Sequence, residues 1–103
     1  MVTWYGQQNF FYRNQGDGSF LLDKDTALTT KGTFSETASW GDVNHDGWLD
    51  LFLINSEGKS KQNQLFISAA GKSFKPLATP ATQTNTLSRS VNWIDVNTDG
   101  KID

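Results

Sequence analysis

Two short segments of this sequence place carboxylates at metal-ligand spacing. Asp42 to Asp50 (DVNHDGWLD) and Asp95 to Asp103 (DVNTDGKID) both read D-x-N-x-D-G-x-x-D. Oxygen-bearing side chains fall at positions 1, 3, 5 and 9: Asp42, Asn44, Asp46 and Asp50, then Asp95, Asn97, Asp99 and Asp103. Alternating oxygens in a tight loop converge on a hard cation such as calcium. The glycine at position 6 allows the sharp turn, and the carbonyl of position 7, Trp48 or Lys101, is well placed as a further ligand. No His or Cys lies at ligand spacing, which argues against zinc and copper. Magnesium prefers fewer protein ligands and keeps its waters, so calcium is favoured.

A lone Asp-Gly stretch reads as a solvated turn, because Asp, Asn and Gly are ordinary turn residues. Two copies at one spacing, each with a Trp two residues ahead (Trp40, Trp93), point instead to metal binding. An EF-hand loop is excluded. It needs an acid at position 12, where the first copy has Leu53, and the apolar run from Leu51 leaves no exiting helix.

Charge supports a local site. The net charge is −2, yet six of the nine Asp residues stand in the two loops. Without those six carboxylates, nine bases would face five acids. So small a balance, negative in sign, does not suit a nucleic-acid binder. The absence of cysteine excludes a disulfide framework, a zinc ribbon and a thiol nucleophile. No apolar run approaches the roughly 18 to 20 residues of a membrane span. The start of the chain lacks the pattern of a signal peptide, so the sequence reads as an intracellular protein or a piece of something longer. No Ser-His-Asp order, P-loop, dinucleotide fingerprint or interpretable acid/base pair occurs, and the chain reads as non-enzymatic.

The elements that must position the loops belong to an internal repeat of period 53, with six of nine loop residues identical. A weaker match aligns Asn9–Phe20 with Asn63–Phe74. Between the loops the apolar period is two. Strands are predicted at Phe10–Arg13, Ser19–Leu22, Glu36–Trp40, Leu51–Ile54, Gln64–Ser68, Ser73–Leu77 and Ser88–Ile94, with another near the chain start. Turns are expected at Gly16-Asp17-Gly18, Asn55–Gly58 and Gly71, and Thr79–Asn85 should be loop. No segment predicts a helix. The fold class is therefore all-β, with antiparallel four-stranded blades of a β-propeller and about two blade-equivalents in this chain. The expected division is a partial blade at 1–25, a complete blade at 35–79, and the first strand and calcium loop of a further blade at 87–103. Trp40 and Trp93, at equivalent positions, should pack between blades.

SWGDVNHDGWLDLFLIN with NFFYRNQGDGSF resembles the FG-GAP/VCBS class of repeats, found in integrin-α-like β-propellers. The resemblance implies calcium in the hairpin joining the first two strands of each blade. Its ligands would be Asp42, Asn44, Asp46, the Trp48 carbonyl and Asp50, then Asp95, Asn97, Asp99, the Lys101 carbonyl and Asp103. No literal Phe-Gly…Gly-Ala-Pro cage is present, and the second copy has Ala70-Gly71-Lys72 where the first has Gly-Asp-Gly. A closed propeller needs six to eight blades by this resemblance. The reading therefore predicts head-to-tail self-association, as a ring or filament, or further repeats of a longer chain. The expected function is a non-catalytic adhesion or recognition module outside the cell or at its surface, with structural calcium and a protein or glycan ligand. The alternatives are a lectin-like propeller assembled from several copies and a subunit of an extracellular fibre or surface assembly.

Overall fold

A computed structural model describes residues 1–24, 26–29, 34–57 and 62–103, without the Glu57 side chain. Asp25 and Gly58 lie outside the described residues. Strands β1 (Phe11–Asn14) and β2 (Phe20–Asp23) form an antiparallel pair. A 3-10 turn at Ala27–Thr29 leads on to β3 (Phe34–Gly41), β4 (Asp50–Glu57), β5 (Gln64–Ala69) and β6 (Ser73–Leu77). These last four make one antiparallel meander in chain order, the expected blade topology. The fold is all-β, as its period-two patterning predicts.

Strand β4 explains why Leu51–Ile54 is apolar without alternation: both faces of the sheet are covered. Leu51 and Leu53 join Phe66, Phe74, Phe11 and Leu28 on one face, with Trp40 packed against them. Phe52 and Ile54 join Leu65 on the other, against Val43, Val91 and Trp93. Each such side chain contributes about 1.5–3 kcal/mol by leaving water. The first face meets the β1–β2 sheet, where Trp40 lies 5.9 Å from Phe11 and 5.8 Å from Phe74. The second meets the following repeat, where Trp93 stands edge-on to Phe52 at 5.8 Å. Both repeat tryptophans therefore pack between successive units.

Several sequence expectations are corrected. Residues 88–94 form no strand, because a strand needs a partner and none among the described residues faces this segment; the one rung described, Asp103 N–H to Ile94 C=O at 2.8 Å, matches the Gly41–Asp50 pair of the first repeat. The start of the chain is reduced to bridges of Val2 with Phe10 and of Tyr5 with Phe34, interrupted by Gly6 at φ 73°. Asn55 and Ser56 are not turn residues: β4 runs through them, and both are buried. Their polar groups are satisfied across the sheet, with the Asn55 amide donating to Gln62 C=O at 2.9 Å and the Ser56 hydroxyl to Glu36 Oε1 at 2.6 Å. Thr79–Asn85 contains one helical turn, Pro80–Gln83. Pro80 opens it with the φ a first helical residue needs, and Thr82 Oγ1 accepts the Thr79 N–H at 2.8 Å.

A polar latch joins consecutive units. The Asn9 side-chain amide donates to Ser35 Oγ at 2.8 Å, and Asn63, its repeat equivalent, donates to Ser88 Oγ at 3.0 Å. Ser88 is in turn the equivalent of Ser35. The carbonyl oxygens are used alike, Asn9 Oδ1 accepting Trp4 N–H at 3.0 Å and Asn63 Oδ1 accepting Asn55 N–H at 3.2 Å. Buried amides bonded on both sides tie the first segment of each unit to the unit before it.

Candidate metal centre

The two Asp-rich loops share one hydrogen-bond scaffold. In the first, between β3 and β4, Asp46 N–H lies 3.1 Å from both Asp42 Oδ1 and Asn44 Oδ1. Gly47 N–H donates to Asp42 Oδ2 at 2.9 Å, and Trp48 N–H to Asp46 Oδ1 at 2.9 Å. In the second, Asp99 N–H lies 3.1 Å from Asp95 Oδ1 and Asn97 Oδ1. Gly100 N–H donates to Asp95 Oδ2 at 2.8 Å, and Lys101 N–H to Asp99 Oδ1 at 2.9 Å. Even the backbone outlier recurs, with φ 60° at both His45 and Thr98. Left-handed φ is uncommon outside glycine. The side chain at position 4 varies while its backbone does not.

Position 9 separates the loops. Asp50 is completely buried, and its carboxylate accepts Val43 N–H at 3.1 Å and Ser68 N–H at 2.8 Å, fastening the loop to β5. Asp103 accepts Val96 N–H at 3.0 Å in the same way and is exposed among the described residues. The Trp48 ring lies across the β5–β6 turn, 3.2 Å from where a Cβ on Gly71 would sit.

All ten residues predicted from the sequence thus lie on two matching loops, and each loop orders its own donors. Among the described residues, however, no three His, Cys, Asp or Glu side chains gather closely enough to hold a metal ion. The carboxylates are taken up by N–H groups of their own loops and, for Asp50, also by Ser68 N–H of β5, and the Asn44 and Asn97 amides turn to Asp46 and Asp99, at 2.9 and 3.3 Å. The donor chemistry fits a hard divalent cation, since every side-chain donor is an oxygen. The structure holds the scaffold for those donors rather than a closed cage.

Residues that position the second loop were not singled out by sequence reasoning. In the sequence Asn63 only opens the weaker repeat match and Ser88 only begins an expected strand, and neither is marked as a residue of the joint. Arg13 only ends an expected strand in the sequence. It pairs with Asp23 at 2.8 Å, and its remaining guanidinium nitrogens donate to the Gly71 and Lys72 carbonyls at 2.6 and 3.0 Å. It thereby holds the β5–β6 turn beneath Trp48.

The model of one protein family, described as FG-GAP-like repeat, matches residues 1–53 and again residues 42–103. The two matches overlap on the first Asp-rich loop and the start of β4. No curated protein and no solved structure matches the chain. From end to end, the chain belongs to the FG-GAP-like repeat family.

Proposed function

We propose that the chain is a calcium-binding repeat module with a non-catalytic adhesion or recognition role. Repeats of this family generally serve as structural or recognition modules and commonly occur in extracellular or surface proteins. The observation that carries the calcium reading is the duplicated scaffold, which fixes Asp42, Asn44 and Asp46 and their equivalents through one set of N–H bonds. Asp42, Asn44, Asp46, Asp50 and the Trp48 carbonyl would hold the first ion; Asp95, Asn97, Asp99, Asp103 and the Lys101 carbonyl would hold the second. The ion would draw the three carboxylates of each loop together, neutralise them and stiffen the hairpin. Extracellular modules bind calcium at roughly 10⁻⁴ to 10⁻³ M, which suits a setting outside the cell. Thermal melting with millimolar calcium or with excess chelator tests the reading. Calcium should raise the melting temperature, and identical curves would overturn the structural role.

A second reading has its own observation. An open apolar groove of about 430 Å³ lies beside the first loop, lined by Phe11, Trp40, Trp48, Leu49 and Phe74. Aromatic faces of this kind stack on sugar rings, as a lectin requires. Glycan-array binding that is lost in Trp48→Ala would favour this reading over a protein ligand.

A further inference from the structure

The joint between the two repeats shows what fits the face that residues 87–103 present. At this joint Gly41 is a notch: a Cβ there would lie 2.6 Å from Ile102 Cδ1 and 2.8 Å from Trp93 Cδ1. The equivalents of Gly41, Trp93 and Ile102 are Ile94, Trp40 and Leu49. Ile94 is 62% exposed, so the notch residue of the second repeat is a projecting aliphatic side chain. Trp40 and Leu49, the pair that would receive it, line the open apolar groove. One joint is closed on a glycine, whereas its equivalent offers a knob on one side and a hole on the other.

Two more features repeat the pattern. Val43 is covered by the second repeat, whereas its equivalent Val96 is 72% exposed. Glu36 and Arg89 are also repeat equivalents, and they pair across the joint at 3.2 Å. The Arg89 side chain is 78% exposed, and a guanidinium has donors for more than one partner. The sheets match too. Val2 pairs with Phe10 in the register in which Leu53 pairs with Gln64, so the N-terminal sheet holds, among the described residues, the end of a second strand, β1 and β2. The segment 88–94, equivalent to β3, forms no strand and has a single rung among the described residues, Ile94 C=O with Asp103 N–H.

We propose that a second copy of this chain docks on the 87–103 face, seating Ile94 of one copy in the groove between Trp40 and Leu49 of the next. The N-terminal sheet of the second copy then continues the sheet that residues 88–94 begin. Glu36 and Arg89 alternate along the stack, so each Arg89 meets an acid on both sides. The inference rests on the repeat fold and on the head-to-tail reading; it does not depend on calcium. The same groove would then be an interface rather than a sugar site.

Native mass spectrometry and sedimentation from 1 to about 200 μM test it on this 11.5-kDa chain. The wild type should form species of two or more copies. Ile94→Asp, at an exposed position, should leave the circular dichroism spectrum unchanged and shift the midpoint of association at least tenfold. Glu36→Arg and Arg89→Glu should each weaken association, and the double swap should restore it. A wild-type monomer at every concentration, or association unaffected by Ile94→Asp, overturns the proposal. Calcium-dependent melting of the Ile94→Asp monomer is measured alongside, so failure of the assembly and failure of the calcium reading remain separate results.

Discussion

Replacing Gly41 by Ala tests whether the two repeats are held together by close packing. The new Cβ would lie 2.8 and 2.9 Å from Trp93 Cδ1 and Cγ and 2.6 Å from Ile102 Cδ1. Carbon atoms rest at about 3.5–4.0 Å, so the indole must retreat by about 0.6–1.2 Å. Ile102 can rotate away, but Trp93 is pinned edge-on against Phe52 and packed on the Phe52–Ile54–Leu65 cluster. Overpacking of this kind costs about 1–3 kcal/mol. Alanine is better than glycine inside a strand by about 0.5–1 kcal/mol, which offsets part of that. The difference is a loss of about 0–2.5 kcal/mol, centred near 1 kcal/mol, which is roughly fivefold in the equilibrium between docked and undocked second repeat. Urea unfolding gives the stability, and acrylamide quenching reports exposure, with Trp4, Trp40 and Trp48 replaced by Phe so that Trp93 reports alone. The same change in a Trp93→Leu background should cost less than 0.5 kcal/mol or become stabilising. An equal loss in both backgrounds would refute the packing argument.

Asp50→Asn should destabilise by about 1–3 kcal/mol, because an amide cannot accept from both Val43 N–H and Ser68 N–H; Asp103→Asn, at an exposed site, should cost much less in the same urea titration. A double-mutant cycle on Asn63→Ala and Ser88→Ala should give a coupling of about 0.5–1.5 kcal/mol, whereas additivity would remove the latch from the joint. The Ser19 hydroxyl, at 2.6 Å, and then the Ser19 N–H hold the Asp17 carboxyl below its ordinary value of 3.8. That contribution is complete above the ordinary value and is lost as pH falls through the lower, folded one. An NMR titration of the Ser19 amide should therefore have its midpoint below 3.8, and a midpoint at or above that value would refute the assignment.

Much of the fold was legible because a strand in a meander announces itself locally. The apolar run at 51–54, the alternation at 64–68 and 73–77, and the glycine-marked turns placed five of the six strands within two residues at each end. The sixth, β4, was cut short at Ile54. Buried Asn55 and Ser56 were read by composition as turn residues, and composition cannot tell a polar side chain in water from one bonded across a sheet. The strand at 88–94 failed for the opposite reason. Its pattern is right, but a ladder needs a second chain segment, and pattern alone supplies none. Arg13 shows the same limit, since its partners at Gly71 and Lys72 are 58 and 59 residues away.

Sequence alone determined the repeat, the all-β class and the identity of every candidate loop donor, because these depend on residue type and short-range spacing. Tertiary structure decided how the units meet. Whether a glycine is a free turn or a notch for a tryptophan, and whether an asparagine caps a turn or latches two sheets, depends on what packs against it. Asp50 shows this best: the motif makes it a loop carboxylate, and only β5, which donates Ser68 N–H to it, seals it from water.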